Sequence, residues 1–231
     1  MSEASLEPSR KPPLIAIDGP AAAGKGTLAQ SLAGKLDLPY LDTGLLYRAI
    51  GKLMRDAGQD LDDPTAATSV AEKLAPDDLR RTDLRGREAG ELASRVAIHP
   101  GVRAALLAFQ RDFAHGSRGA VLDGRDIGTV ICPDADVKLY VTASAEVRAR
   151  RRTDELLAKG RAVEYEAILA EVKARDARDS GRAEAPLRPA DDAIVIDTSA
   201  LGPAEVLATA LSIVENWREG RRVSAGGGER R

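Results

Sequence analysis

Apolar positions along the chain fall into two rhythms. The short apolar run "PLIAID" (13–18) reads as a strand buried on both faces, and "GAVLD" (119–123), "VKLYV" (137–141) and "AIVID" (193–197) are further buried-strand candidates. Between them, apolar residues recur with helical spacing. Leu28, Ala29, Leu32, Ala33 and Leu36 form one stripe, and Leu45, Leu46, Ala49, Ile50, Leu53 and Met54 a second. "PAEVLATALSIVENW" (203–217) closes the pattern as an amphipathic helix. Strand alternating with helix predicts right-handed βαβ units and a doubly wound, mostly parallel α/β sheet. Ligands of such sheets bind beyond the carboxyl ends of the strands. The polar, proline-bearing residues 1–13 read as a disordered leader and "GRRVSAGGGERR" (220–231) as a disordered tail. The span 14–219 between them is continuous and predicts one domain.

The length of 231 residues suits one large α/β domain with room for an insert or lid. A net charge of −2 gives no global electrostatic case for nucleic acid or an acidic membrane, so any positive patch must be local. A single cysteine, Cys132, excludes an internal disulfide and a cysteine-based zinc site, and two histidines make a zinc or iron centre unexpected. No apolar run has the length of a membrane span and the N-terminus lacks a signal-peptide core, so the cytosol is the expected location.

"GPAAAGK" (Gly19, Pro20, Ala21, Ala22, Ala23, Gly24, Lys25) follows a predicted strand and opens a predicted helix. That context is what a phosphate-binding loop requires. Gly19 and Gly24 permit backbone conformations that larger residues resist, and the alanines keep side chains clear, so successive amides can turn onto a phosphate. Lys25 adds a point charge for the terminal phosphates. The competing reading, a tight strand-to-helix connection, does not account for the lysine. Gly26 stands where such loops usually carry a magnesium-binding hydroxyl, with Thr27 next.

Three further stretches carry chemistry. "LDTGLLYR" (41–48) puts Thr43, Tyr47 and Arg48 on the first turns of a helix, with Thr43 and Tyr47 on one face. "DGRDIGTVICPDA" (123–135) begins at a strand end, where Asp123 can hold water on magnesium and Arg125 and Asp126 project toward the cleft. "ARDARDSGRAEAPL" (174–187) carries Arg175, Asp179 and Arg182 at near-helical spacing, with Gly181 ending the helix.

These four motifs, in this order over residues 14–217, resemble those of the bacterial cytidylate kinases, and "GKGT" is the loop ending of nucleoside-monophosphate kinases generally. The resemblance implies a P-loop kinase with a doubly wound, mostly parallel five-stranded sheet, an acceptor-binding insert at about 60–100 and a helical lid at about 148–182. It implies ATP as phosphoryl donor, CMP or dCMP as acceptor, and magnesium held by phosphates and water as much as by Thr27 and Asp123. Arg48, Arg125 and Arg182 match arginines on the acceptor phosphate; permanently charged planar forks suit that task. Ser94, Arg103 and Asp126 match residues that read the cytosine edge, whose amino group seeks an acceptor. Thr43, Tyr47, Arg175 and Asp179 match positions around the sugar. Such kinases are expected to work as monomers. The segment "LAPDDLRRTDLRGREAGE" (74–91) is shorter and poorer in strand signals than the family's insert.

Several residues have a plainer reading beside the functional one. Arg148, Arg150, Arg151 and Arg152 form either a solvated face of a helix capped by Ser144 or the start of the lid, with Arg148 and Arg151 the donor-side candidates. Arg175 and Asp179 would also serve as an exposed i,i+4 pair. Asp197 reads as a turn cap, Cys132 and Trp217 as packing residues, and His99 and His115 as helix-end residues without chemistry. Two other functions stay open on residues alone: a nucleotide-dependent switch, against which stands the lack of an "NKxD"-like motif, and a kinase for another small acceptor.

Overall fold

The computed structural model describes residues 11–220. Five strands, β1 (Leu14–Asp18), β2 (Tyr40–Asp42), β3 (Ala120–Gly124), β4 (Val137–Thr142) and β5 (Ile194–Asp197), pair in the order β2-β3-β1-β4-β5. All four pairings are parallel, so the sheet is wholly rather than mostly parallel. Pro13 extends the edge of the β1–β3 ladder, its carbonyl accepting from Ala120 N–H at 3.1 Å. Of the leader and tail expected from composition, residues 1–10 and 221–231 fall outside the described residues.

The alternation of β1 explains the two-faced core. Ile15 and Ile17 face helices α1 (Lys25–Leu36) and α8 (Pro203–Arg218), joining Leu28, Leu32 and Val214. Leu14 and Ala16 face the other way, onto Leu122, Ile127, Ile131 and Cys132. The helices therefore cover both faces of the sheet, as parallel strands require. β5 departs from the expectation of a fully buried strand: Val195 is 50 % exposed, because β5 is an edge strand.

The stretch between β2 and β3 builds a separate helical body. α2 (Thr43–Asp56), α3 (Pro64–Glu72), α4 (Arg87–Val96) and α5 (Pro100–Ala114) enclose Leu46, Ile50, Met54, Ala67, Leu92, Val96 and Leu106. Two short 3₁₀ turns, Pro76–Arg80 and Thr82–Leu84, join α3 to α4, and this segment holds no strand. Gly51 allows the close approach of α2 and α4, since a Cβ there would lie 2.7 Å from Leu92 Cβ. Between β4 and β5, α6 (Ala145–Ala158) and α7 (Tyr165–Ser180) pair around Ala149, Leu156, Ile168 and Val172. Ser144 caps α6 through Val147 N–H at 3.2 Å.

β1 lies between β3 and β4, so the strand order reverses beside it. The carboxyl end of β1 opens into the crevice that such a reversal creates.

Candidate active site

That crevice is a cavity of about 270 Å³ bounded by the β1–α1 loop, α2, α4, the β3 end and α7. On the donor side, Gly19 has φ of +146° and a Cβ there would come within 1.9 Å of Val141 O, so only glycine fits. Ala22 (φ +60°) and Gly24 (φ +89°) are also left-handed, which curls the loop amides inward above the N-terminus of α1. Ala22, Gly24, Lys25, Gly26 and Thr27 line the cavity, whereas Gly19, Pro20, Ala21 and Ala23 shape the loop from behind.

Asp42 and Asp123 are register partners at the carboxyl ends of β2 and β3, and both line the cavity. Tyr40 Oη donates to Asp123 Oδ2 at 3.2 Å. Burial and then Arg125 push the Lys25 ammonium below its ordinary value, against the opposing pull of Asp123 and Asp42. Burial likewise raises Asp123, opposed chiefly by Lys25. Gly26 has a local reason: a Cβ there would stand 3.3 Å from Asp123 Oδ2, so glycine leaves room for this carboxylate at the loop.

On the acceptor side, four side chains converge on Asp179, which is 1 % exposed. Arg125 Nε donates to it at 3.0 Å, Ser94 Oγ at 3.1 Å, and Arg182 also donates to it. Arg175 Nε lies 3.9 Å away. Burial alone would raise the Asp179 carboxyl, but Arg125, Arg182 and Arg175 outweigh it and hold the group down at about 2. The crowding is felt by the cations too. Burial and Arg125 lower Arg175 to about 10, and burial lowers Arg182. The Nε atoms of Arg175 and Arg182 are buried without a hydrogen-bond partner. The alternative of an exposed Arg175–Asp179 pair is thereby corrected: α7 packs this face inward beside α4.

Arg103 and Asp126 close on each other in a short ion pair, with Arg103 stacked 5.9 Å above the Tyr47 ring. Burial pushes the Tyr47 phenol up to about 12. Thr43 lines the cavity, but its hydroxyl donates to Asp123 O at 2.7 Å, which ties α2 to the β3 end. Arg48 lies 3.8 Å from Asp42. The cavity thus gathers Lys25, Arg48, Arg103, Arg125, Arg175 and Arg182 against Asp42, Asp123, Asp126 and Asp179. Six cations against four carboxylates is the local positive patch that a chain of net charge −2 needs to hold anions.

Arg148 and Arg151 are not brought into this cavity. Arg148 is buried, paired with Asp176 and bonded to the carbonyls of Ala143 and Ala21, while Arg151 donates to Thr198. Both brace the back of the phosphate loop, since Thr198 Oγ1 itself donates to Ala23 O at 3.1 Å. Asp197 caps its turn through Ser199 N–H at 2.8 Å, and Cys132 is fully buried. Asp42 and Tyr40 escaped sequence reasoning. β2 has three half-buried residues and no apolar run, so Asp42 did not read as the strand-end carboxylate it is.

A glycine loop opening a helix at the reversal of a parallel sheet, facing a cluster of arginines, defines a phosphotransferase of the P-loop kinase class. A solved gluconokinase from Sinorhizobium meliloti 1021 shares this fold at 16 % identity, with a TM-score of 0.50 over 91 % of this chain and 96 % of its own. Within that class, the sequence model described as cytidylate kinase matches residues 15–216, and the chain belongs to the cytidylate kinase family. It is similar to the cytidylate kinase of Paramagnetospirillum magneticum, at 58 % identity over 89 % of this chain and 99 % of that protein. It is also similar to that of Methylocella silvestris, at 56 % identity over 90 % and 97 %. Among the described residues no helix is long and apolar enough to cross a membrane.

Proposed function

We propose that the protein transfers the γ-phosphoryl group of ATP to CMP or dCMP, giving ADP and CDP or dCDP, in the cytosol and as a monomer. The observation that carries this reading is the placement of two anion-binding surfaces on one cavity: the loop with Lys25 on one wall, and Arg48, Arg125 and Arg182 on the other. One chain supplies both walls, which supports activity as a monomer.

The acceptor phosphate is already an anion, so no general base is required, and catalysis is positioning and charge stabilisation. Loop amides and Lys25 hold the donor phosphates. Arg48, Arg125 and Arg182 hold the acceptor phosphate, with Arg175 adding charge beside them. Asp126 accepts from the cytosine amino group and Arg103, pre-aligned by its pairing with Asp126, donates to the base edge. Ser94 completes the base wall, while Tyr47, Thr43 and Asp179 border the sugar. Arg148 and Arg151 act on the donor side by bracing the loop. Approach of the α6–α7 lid and the α3–α4 insert excludes water, which suppresses hydrolysis of ATP.

Magnesium fits the residues present. Asp42, Asp123 and Thr27 offer oxygen ligands beside Lys25, the donor type that magnesium selects. When bound, the ion neutralises phosphate charge during transfer.

An ADP-production assay over CMP, dCMP, UMP and AMP tests the reading. Turnover restricted to the cytidine nucleotides, or strongly favouring them, is expected, and rates with AMP equal to those with CMP would sink the base assignment. Asp126→Ala is expected to raise the CMP KM or lower kcat with ATP binding intact; unchanged CMP kinetics would remove Asp126 from the base site.

A further inference from the structure

We propose that Asp18 is a positioning residue for the acceptor side of the reaction, fixing the turn that carries Arg125 and Asp126 against the strand that launches the phosphate loop. The inference rests on the acceptor-side reading of those two residues given above. Asp18 ends β1 and is 4 % exposed, a place where an unpartnered carboxylate is strongly disfavoured. It does not line the cavity, so it does not touch substrate. Both its oxygens are engaged: Oδ1 accepts from Ile127 N–H at 2.8 Å and Oδ2 from Gly128 N–H at 2.7 Å. These amides directly follow Asp126 and open a short π-helical turn, Ile127–Ile131, where no turn carbonyl is available to them.

Packing of Ile127 against Leu14, Ala16 and Leu122 and the Arg103–Asp126 pair also hold this end of the turn, but neither takes up the Ile127 and Gly128 amides. Arg111 holds the far end from α5, donating to Ile131 O at 3.0 Å and Val130 O at 3.1 Å. Gly128 lies beside this contact: a Cβ there would stand 3.2 Å from Lys138 Cδ and touch Asp18 Oδ2 at 3.4 Å. On its other side Asp18 is followed by Gly19, whose backbone lies hard against Val141 O. Asp18 therefore cannot shift without moving the phosphate loop. One carboxylate sets the spacing between the donor loop and the pair that receives CMP.

Asp18→Asn keeps the size of the side chain but leaves one accepting oxygen and turns an amide donor toward a backbone N–H. Loss of one charge-assisted bond of this kind predicts a CMP KM raised about ten-fold. The KM for ATP should change much less. Amide NMR should show the Ile127 and Gly128 N–H signals moved and exchanging faster. Asp18→Glu, which keeps the charge but displaces both oxygens from the Ile127 and Gly128 amides, should give the same CMP-selective loss, and it decides the matter if Asp18→Asn does not fold. Equal rises in both KM values would make Asp18 merely structural, and unchanged CMP kinetics in the folded variants would refute its positioning role. Wild-type turnover of CMP is measured first: its absence defeats the proposed function, whereas normal wild-type turnover with unaltered variants defeats only this inference.

Discussion

Asp179 is the carboxylate on which the arginines of the acceptor wall depend, and Asp179→Asn tests that dependence. Its carboxyl is held at about 2, against an ordinary 3.8, because Arg125, Arg182 and Arg175 outweigh the opposing effect of burial. That gap corresponds to roughly 2–3 kcal/mol of preference for the charged form. A depressed carboxylate contributes its stability above the ordinary value, and loses it as pH falls from about 4 to about 2. Asparagine preserves shape but leaves the guanidinium groups of Arg125, Arg175 and Arg182 facing one another. Stranding buried charges in this way costs about 3–5 kcal/mol, so the two figures bracket the expected loss. For a chain of this length each kcal/mol moves Tm by about 2–4 °C, which predicts a fall of about 5–20 °C at pH 7. The assay is thermal unfolding followed by circular dichroism, with and without CMP. CMP should restore part of the gap, because its phosphate neutralises the same cations, and the difference from wild type should close as pH approaches 2. An unchanged Tm at pH 7 would refute the claim that Asp179 holds this cluster together.

Two further outcomes follow from the same geometry. Lys25→Met removes the ammonium that faces the transferring phosphates and should lower kcat by about 10²–10³ with the fold intact; steady-state kinetics beside an unfolding curve checks both parts. Cys132 is fully buried, and burial pushes its thiol up to about 12, so a thiol reagent such as DTNB should label it only under denaturing conditions. Labelling in the native state at a rate independent of unfolding would show that the core around Ile131 and Ala135 opens.

The parts of the fold legible in the sequence are those whose burial is complete. β1 and β3 are central strands buried on both faces, so each left an almost uninterrupted apolar run, whereas central β4 carries Lys138 and Tyr140 among its apolar residues. β5 left a similar run yet is half exposed, since an apolar run does not reveal whether its strand has one neighbour or two. β2 left no signal because three half-buried residues impose no pattern, and Asp42 was hidden with it. The cavity residues were legible as motifs, but their coupling was not. An i,i+4 arginine–aspartate pair looks alike on an exposed and a buried helix face, and only the packing of α7 beside α4 distinguishes them. Asp18 read as the end of a strand. Its bonds to Ile127 and Gly128 cross more than a hundred residues of chain and follow from β1 and β3 being neighbours. Arg148 and Arg151 show the opposite case, where a basic cluster suggested contact with the donor and the fold spent it on Asp176 and Thr198.

The central claim, that this cavity passes a phosphoryl group from ATP to a cytidine monophosphate, is tested most directly by phosphorus-31 NMR of the purified protein with ATP, magnesium and CMP. Loss of the ATP and CMP signals together is expected, with equal growth of ADP and CDP and no inorganic phosphate. Intact CMP beside ADP and free phosphate, or no consumption of ATP at all, would contradict it.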